Sequence, residues 1–280
     1  MKRIFCLCLT FLICLTTSAF AGDDTRDKAY TKIMATNTIR CGYYVWPPYI
    51  TKDPNSGKLG GFFYDMMEAM GQSLNLKIDW ASEINFDAMF EGYASGKYDM
   101  VCASLAATPA RARASDFTQP FMYAAYYLYA RDGDTRFDGN YAKVNNKNVT
   151  YGSLDGDMNE IIGKEDFPEA KKFSIGQNAA MTDTLMSIKT KKADVSVLDP
   201  VAAINFMKAN PKSIHQVKGG PVRVIPLTYS IPVGEDKLKS MLNITLQNMV
   251  ETGKVDKLVK KYPDLDATLL RIPKPYDIKK

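Results

Sequence analysis

The densest chemistry in this chain lies in residues 104–121, Ser-Leu-Ala-Ala-Thr-Pro-Ala-Arg-Ala-Arg-Ala-Ser-Asp-Phe-Thr-Gln-Pro-Phe. The mostly apolar run 99–103 ahead of it has the composition of a strand buried on both faces, and it delivers Ser104. Thr108-Pro109 then turns the chain into a short helix that carries Arg111. A guanidinium is a planar fork that matches a carboxylate through two parallel hydrogen bonds. Two readings of Arg111 follow. It grips a ligand carboxylate beyond the carboxyl end of a strand, where open α/β sheets bind ligands, or it shares a solvated basic face with Arg113.

Other residues offer chemistry of narrower kinds. Trp46-Pro47-Pro48-Tyr49 holds an aromatic ring on a backbone that two prolines restrict. Asp155, Asp157, Asn159 and Asp166 fall at positions 1, 3, 5 and 12 of a calcium loop, but Glu160 stands at the glycine position and the last ligand is not Glu. A metal site is therefore not expected. His215 is the only histidine, which excludes multi-His metal centres and leaves His-dependent hydrolysis without support; it reads as a surface residue. No phosphate-binding or dinucleotide glycine motif occurs, so no cofactor is implied.

These groups need a scaffold, and the hydrophobic pattern supplies one. Residues 38–43, 77–80, 99–103 and 194–199 read as strands. Met66, Ala69, Met70 and Leu74 recur at helical spacing behind Asp65, which is placed to cap that helix. A second helix is expected from Phe86 to about Ser95, and further helices over 183–188 and 238–262, the last broken at Gly253. Helices between strands give α/β units with a parallel sheet. The pattern from Asp87 to Asp99 is replayed from Asp183 to Asp194, with spacings of 12 and 11 residues, which points to two similar lobes. The polar stretch 131–148 reads as a surface connection.

Composition narrows the function class once the N-terminus is set aside. Lys2 and Arg3 precede an apolar run, 4–15, closed by Ala19-Phe20-Ala21, the pattern of a cleaved secretory signal peptide. The run is too short to span a bilayer as a helix. Cleavage after Ala21 leaves 259 of the 280 residues and lowers the formal charge from +5 to +3, which removes the case for a nucleic-acid partner. The residue after the cleavage point is not Cys, so no lipid anchor is expected, and export into a periplasm follows. Only Cys41 and Cys102 survive cleavage. Export permits a disulfide between them, while two buried free thiols are the equal alternative.

The chain resembles the periplasmic solute-binding proteins of ABC transporters, in the family that binds polar amino acids. The landmarks are Ile39-Arg40-Cys41-Gly42, Trp46-Pro47-Pro48-Tyr49, Gly61-Phe62-Phe63-Tyr64-Asp65, Ser95-Gly96-Lys97-Tyr98-Asp99, Thr108-Pro109-Ala110-Arg111, Asp116-Phe117-Thr118-Gln119-Pro120-Phe121, Leu198-Asp199 and Gly253-Lys254. The resemblance implies a two-lobed α/β fold of type II. Each lobe would be a mostly parallel sheet flanked by helices, and two crossing hinge strands would join them. Lobe 1 would comprise 24–123 and 229–280, and lobe 2 would comprise 124–228. The protein would be a monomer that captures an amino acid or amino-acid-like molecule by hinge closure and delivers it to an inner-membrane permease.

The same resemblance assigns roles. Arg111 would hold the ligand α-carboxylate with Ser104 assisting, Asp199 would accept from the α-ammonium, and Trp46 and Phe86 would clamp the side chain. Ala106 and Met158 depart from the family by replacing hydroxyl residues that donate to the carboxylate. Asp157 is an added acid, read either as selecting for a further amine or hydroxyl or as a solvent-facing loop residue. The chain is read as a binding protein with no catalytic residue. The alternatives are a cyclohexadienyl-type dehydratase on the same fold, with Asp157 or Glu160 as general acid, and a ligand-binding partner of a sensor.

Overall fold

The computed structural model describes residues 26–85 and 89–273; the expected signal peptide at 1–21 and Phe86 lie outside them. The chain opens with α1 (Lys28–Thr36) and β1 (Thr38–Tyr43), followed by a small antiparallel ribbon of β2 (Thr51–Lys52) and β3 (Leu59–Gly60). Next come α2 (Phe62–Leu74), β4 (Lys77–Glu83), the short α3 (Glu91–Ala94), β5 (Met100–Leu105) and β6 (Asp116–Phe117). β1 pairs in parallel with β4 on one side and β5 on the other. All six residues of β5 are buried, which is why its sequence runs apolar without alternation.

α2 forms because Met66, Met67, Ala69 and Met70 share a face that is buried against β4 and β5. Its N-cap is Gly61, not Asp65. Asp65 sits in the first turn, where a negative charge suits the positive helix end. Asn75 ends the helix in the left-handed conformation. The helix expected from Phe86 onward is confined, among the described residues, to α3. Gly92, Ser95 and Gly96 are weak helix formers, and the Tyr98 ring packs directly over Gly92.

The chain then crosses on β7 (Met122–Arg131) into a second α/β region. It contains β8 (Thr150–Leu154), α4 (Met158–Asp166), β9 (Lys171–Ile175), α5 (Thr182–Lys189), β10 (Val195–Leu198), α6 (Pro200–Ala209) and β11 (Ile214–Gln216). β8 pairs in parallel with both β9 and β10. The chain returns on β12 (Arg223–Ile231), followed by α7 (Asp236–Glu251), α8 (Lys254–Val259), α9 (Pro263–Thr268) and β13 (Leu269–Leu270). The strand order is β4-β1-β5-β12-β7-β10-β8-β9.

The two long strands carry the topology. β12 and β7 pair antiparallel from Arg223↔Tyr126 to Leu227↔Met122. Beyond that ladder β12 pairs with β5 at Thr228↔Leu105, and β7 pairs with β10 at Tyr127↔Leu198. Two parallel sheets are thus joined by one antiparallel pair. The first sheet is also cross-linked. Cys41 on β1 and Cys102 on β5 form a disulfide, with Cα atoms 5.3 Å apart, which decides between the two readings left open by the sequence.

Candidate functional site

Four parallel strands end on the same cleft. β1 ends at Tyr43, β5 at Leu105, β8 at Leu154 and β10 at Leu198. Ligands of open α/β sheets bind beyond such carboxyl ends. Trp46, Ser104, Ala106, Arg111, Asp157 and Met158 line one narrow cavity of about 20 Å³, together with Tyr44 and Tyr126. Six of the eight site residues expected from sequence therefore meet in one place. Asp199 is fully buried and adjoins them through Tyr49, while Phe86 lies outside the described residues.

Both aspartates are helix caps. Asp199 is the N-cap of α6, with Pro200 at the first helical position, as the missing N–H of proline favours. Its Oδ1 accepts from Val201 N at 3.0 Å and Ala202 N at 3.3 Å, and the Tyr49 hydroxyl donates to the same atom at 3.5 Å. Oδ2 is buried and has no partner among the described residues. Asp157 is the N-cap of α4 and accepts from Asn159 N at 2.9 Å. It is 5% exposed, so it is not the solvent-facing loop acid that the sequence allowed. Burial is what a lone Asp in a Gly-Asp-Met turn does not announce.

Arg111 is 9% exposed and sits on a single 3₁₀ turn after β5. It does not belong to a solvated face with Arg113. Its Nη1 donates to the Ala106 carbonyl at 3.0 Å and its Nη2 to the Gly156 carbonyl at 2.9 Å. The second bond reaches across to the loop after β8, so the side chain ties the two sheets together across the cleft. Ser104 Oγ and Trp46 Nε1 are buried and unpartnered among the described residues.

An aromatic ladder backs the cleft. Trp46 lies 4.3 Å from Tyr49 centroid to centroid, Tyr49 stacks on Phe63 at 4.9 Å, and Phe63 meets Phe121 edge-on at 6.2 Å. Gly61 allows this: its φ is 101°, and a Cβ there would lie 2.6 Å from the Tyr49 carbonyl oxygen. Tyr44 donates its hydroxyl to the Ser104 carbonyl.

The electrostatics follow from burial. Desolvation pushes the Asp199 carboxyl up to about 6, against the amides of Ala202 and Val201, and the nearby Asp157 charge raises it further. Desolvation also raises Asp157, opposed by the Asn159 amide and the Arg111 charge. The same burial lowers Arg111, with Asp157 opposing. Glu160 behaves differently. Despite its partial burial, hydrogen bonds from Lys172, Gly156 N and Lys164 hold it at about 2. It faces Lys164 and Lys172 on the surface and not the cleft, so it is removed as a candidate general acid.

The pattern of bacterial extracellular solute-binding proteins, family 3, matches residues 39–264. This chain belongs to that family. A probable histidine-binding protein of Campylobacter jejuni subsp. jejuni serotype O:2 is 26% identical to this family 3 protein over 270 residues, covering 94% of this chain and 99% of the relative. The arginine-binding extracellular protein ArtP of Bacillus subtilis is 23% identical over 262 residues, covering 91% and 94%. Among solved structures, an ancestral amino acid-binding protein described as a precursor of cyclohexadienyl dehydratase aligns with a TM-score of 0.70 at 26% identity, covering 83% of this chain and 97% of that one. The fold of this family 3 protein is the two-lobed type II architecture, and its relatives are named as binding proteins. No described helix is long and apolar enough to cross a membrane.

Sequence reasoning missed three tyrosines of this family 3 site. Tyr44 and Tyr126 line the cavity, and Tyr49 bridges to Asp199. Tyr49 was within reach, because it closes the Trp-Pro-Pro-Tyr motif. Tyr126 gave no signal, since a tyrosine in the aromatic run of β7 reads as core.

Proposed function

We propose that this chain captures a small solute bearing an ammonium group and delivers it to an inner-membrane ABC permease. One observation carries the reading. Asp199 is 0% exposed with one carboxylate oxygen unpartnered, and it adjoins the ring of Tyr49, which packs on Trp46. An unsatisfied buried acceptor costs about 1–3 kcal/mol, and a ligand ammonium supplies the missing donor. The aromatic faces beside it favour a cation in the same place. The histidine- and arginine-binding names of the relatives support an amino-acid-like ligand.

The mechanism is hinge closure about β7 and β12, with lobe 1 as 24–123 plus 229–280 and lobe 2 as 124–228. Only contacts made better in the closed form drive that closure. Ser104, Trp46 and Arg111 would act from the first lobe and Asp157 and Asp199 from the second, with Ala106 and Met158 shaping the apolar wall. The protein acts as a monomer in the periplasm after cleavage at Ala21, and it is not an enzyme. Of the two acids named for a dehydratase, Asp157 and Glu160, only Asp157 lines the cavity.

A thermal-shift screen of amino acids, amines and nitrogen-free carboxylates tests this reading. A ligand at 100 times its Kd stabilises by about 2.7 kcal/mol, and stabilisation is expected from nitrogen-bearing solutes alone. Stabilisation by nitrogen-free carboxylates only, or an aromatic product formed from prephenate or arogenate in the same panel, would overturn it.

A further inference from the structure

We infer that Trp46 is a polar ligand-binding residue as well as an aromatic one, its indole N–H donating, beside the Ser104 hydroxyl, to the ligand carboxylate. The inference rests on the ligand-capture reading and names a specificity-determining donor within that site.

The cavity holds two donors that the protein leaves unused. Trp46 and Ser104 both line it, and Trp46 Nε1 and Ser104 Oγ are buried without a partner among the described residues. A buried indole N–H ordinarily finds an acceptor. Two orphaned donors in one narrow cavity call for an acceptor that the ligand brings. Ala106 and Met158, on the same wall, offer that ligand no hydroxyl.

Packing decides which part of Trp46 is available. Its ring lies 4.3 Å from Tyr49 at an interplanar angle of 36°, and 6.3 Å from Tyr44 at 25°. The protein's own aromatics therefore set its orientation. Tyr44 is itself fixed, because its hydroxyl donates to the Ser104 carbonyl. The indole and Ser104 thus belong to one frame, and little ordering is needed when a ligand arrives.

The charge balance makes a neutral donor matter. Arg111 spends two of its five N–H groups on the Ala106 and Gly156 carbonyls, which leaves three for a carboxylate. Asp157 lines the same cavity, and its charge offsets that of Arg111. The guanidinium then supplies directed donors with little net positive charge behind them. Donors that bring no charge of their own, the indole N–H and the serine O–H, complete the anion's hydrogen bonding.

Calorimetry with lysine, arginine and histidine, each beside its decarboxylated amine (cadaverine, agmatine, histamine), tests this on two variants. Trp46→Phe keeps an aromatic ring. Replacement of Trp46 by β-(3-benzothienyl)alanine keeps the bicyclic shape while sulfur takes the place of the N–H. Thermal unfolding checks that both fold. Both should bind the amino acid about tenfold or more weakly than wild type, the scale of a lost hydrogen bond to a charged acceptor. The amine lacks that acceptor, so wild type and the benzothienyl protein should bind it equally or not at all. Unchanged amino-acid affinity in the benzothienyl protein overturns the inference even if Trp46→Phe is impaired, because ring shape then carries the effect. An amine weakened as much as its amino acid also overturns it. In both cases the wild type still binds and the ligand-capture reading stands, whereas a wild type that binds none of these compounds overturns both.

Discussion

Asp199→Asn should make the ligand-free protein more stable while disabling it. The carboxyl is fully buried and is raised by desolvation to about 6 from an ordinary 3.8. Each pKa unit corresponds to 1.36 kcal/mol, so keeping Asp199 ionised in the folded protein at pH 7 costs about 3 kcal/mol. The sign is that of an acid whose folded pKa is raised. The folded state holds the proton more tightly than the unfolded state, so this contribution favours folding below about pH 4 and is lost as pH rises to about 6.

Asparagine keeps the cap on α6 and carries no charge to desolvate. Denaturant melts of both proteins at pH 4, 5, 6 and 7 are the assay. The variant should gain up to about 3 kcal/mol over the wild type at pH 7, a rise of roughly 6–12 °C in Tm for a protein of this size. The gain should shrink steadily toward pH 4. Ligand affinity should fall by about 2 kcal/mol or more, because the ammonium loses its charged acceptor. A variant that is less stable than wild type at pH 7, or that shows the same difference at every pH, would refute the reasoning.

Two further outcomes rest on the scaffold. Replacing both Cys41 and Cys102 with Ala removes a cross-link spanning 61 residues, which chain-entropy reasoning values at about 4 kcal/mol; equilibrium unfolding of oxidised wild type and variant measures it, and a loss below about 1 kcal/mol would contradict it. Gly61→Ala places a Cβ 2.6 Å from the Tyr49 carbonyl oxygen at a φ of 101°. It should cost roughly 1–3 kcal/mol of stability and weaken ligand binding by shifting the Trp46 loop, both read from ligand-dependent melts.

Much of this site was legible because strand ends are legible. Apolar runs that stop at Ser104 and Asp199 announce where a parallel sheet delivers polar side chains, and the turn after Thr108-Pro109 locates Arg111. The pairing of Cys41 with Cys102 was not legible, because it depends on β1 and β5 being neighbours although α2 and β4 separate them in sequence. The start of α2 was misread for a local reason: Asp65 is a good cap by type, yet Gly61 reaches the conformation that the turn against Tyr49 requires. Asp157 was the hardest case. Its burial and its capping role arise from the tertiary placement of α4 against the cleft, while in sequence it is one acid among several.

The two cleft aspartates also constrain how such a site can change over generations. Each holds the first turn of a helix with one oxygen; Asp157 also lines the cavity, and Asp199 keeps its second oxygen buried and unpartnered among the described residues. A substitution that retunes the ligand there must still cap, which restricts the accessible neighbours to Asn, Ser, Thr and, less well, Gly. Charge can be removed in one step, whereas a basic or bulky group cannot be installed without loosening α4 or α6. Divergence in ligand preference should therefore be channelled toward positions such as Ala106, Tyr126 and Met158, whose side chains shape the cavity without closing a helix end.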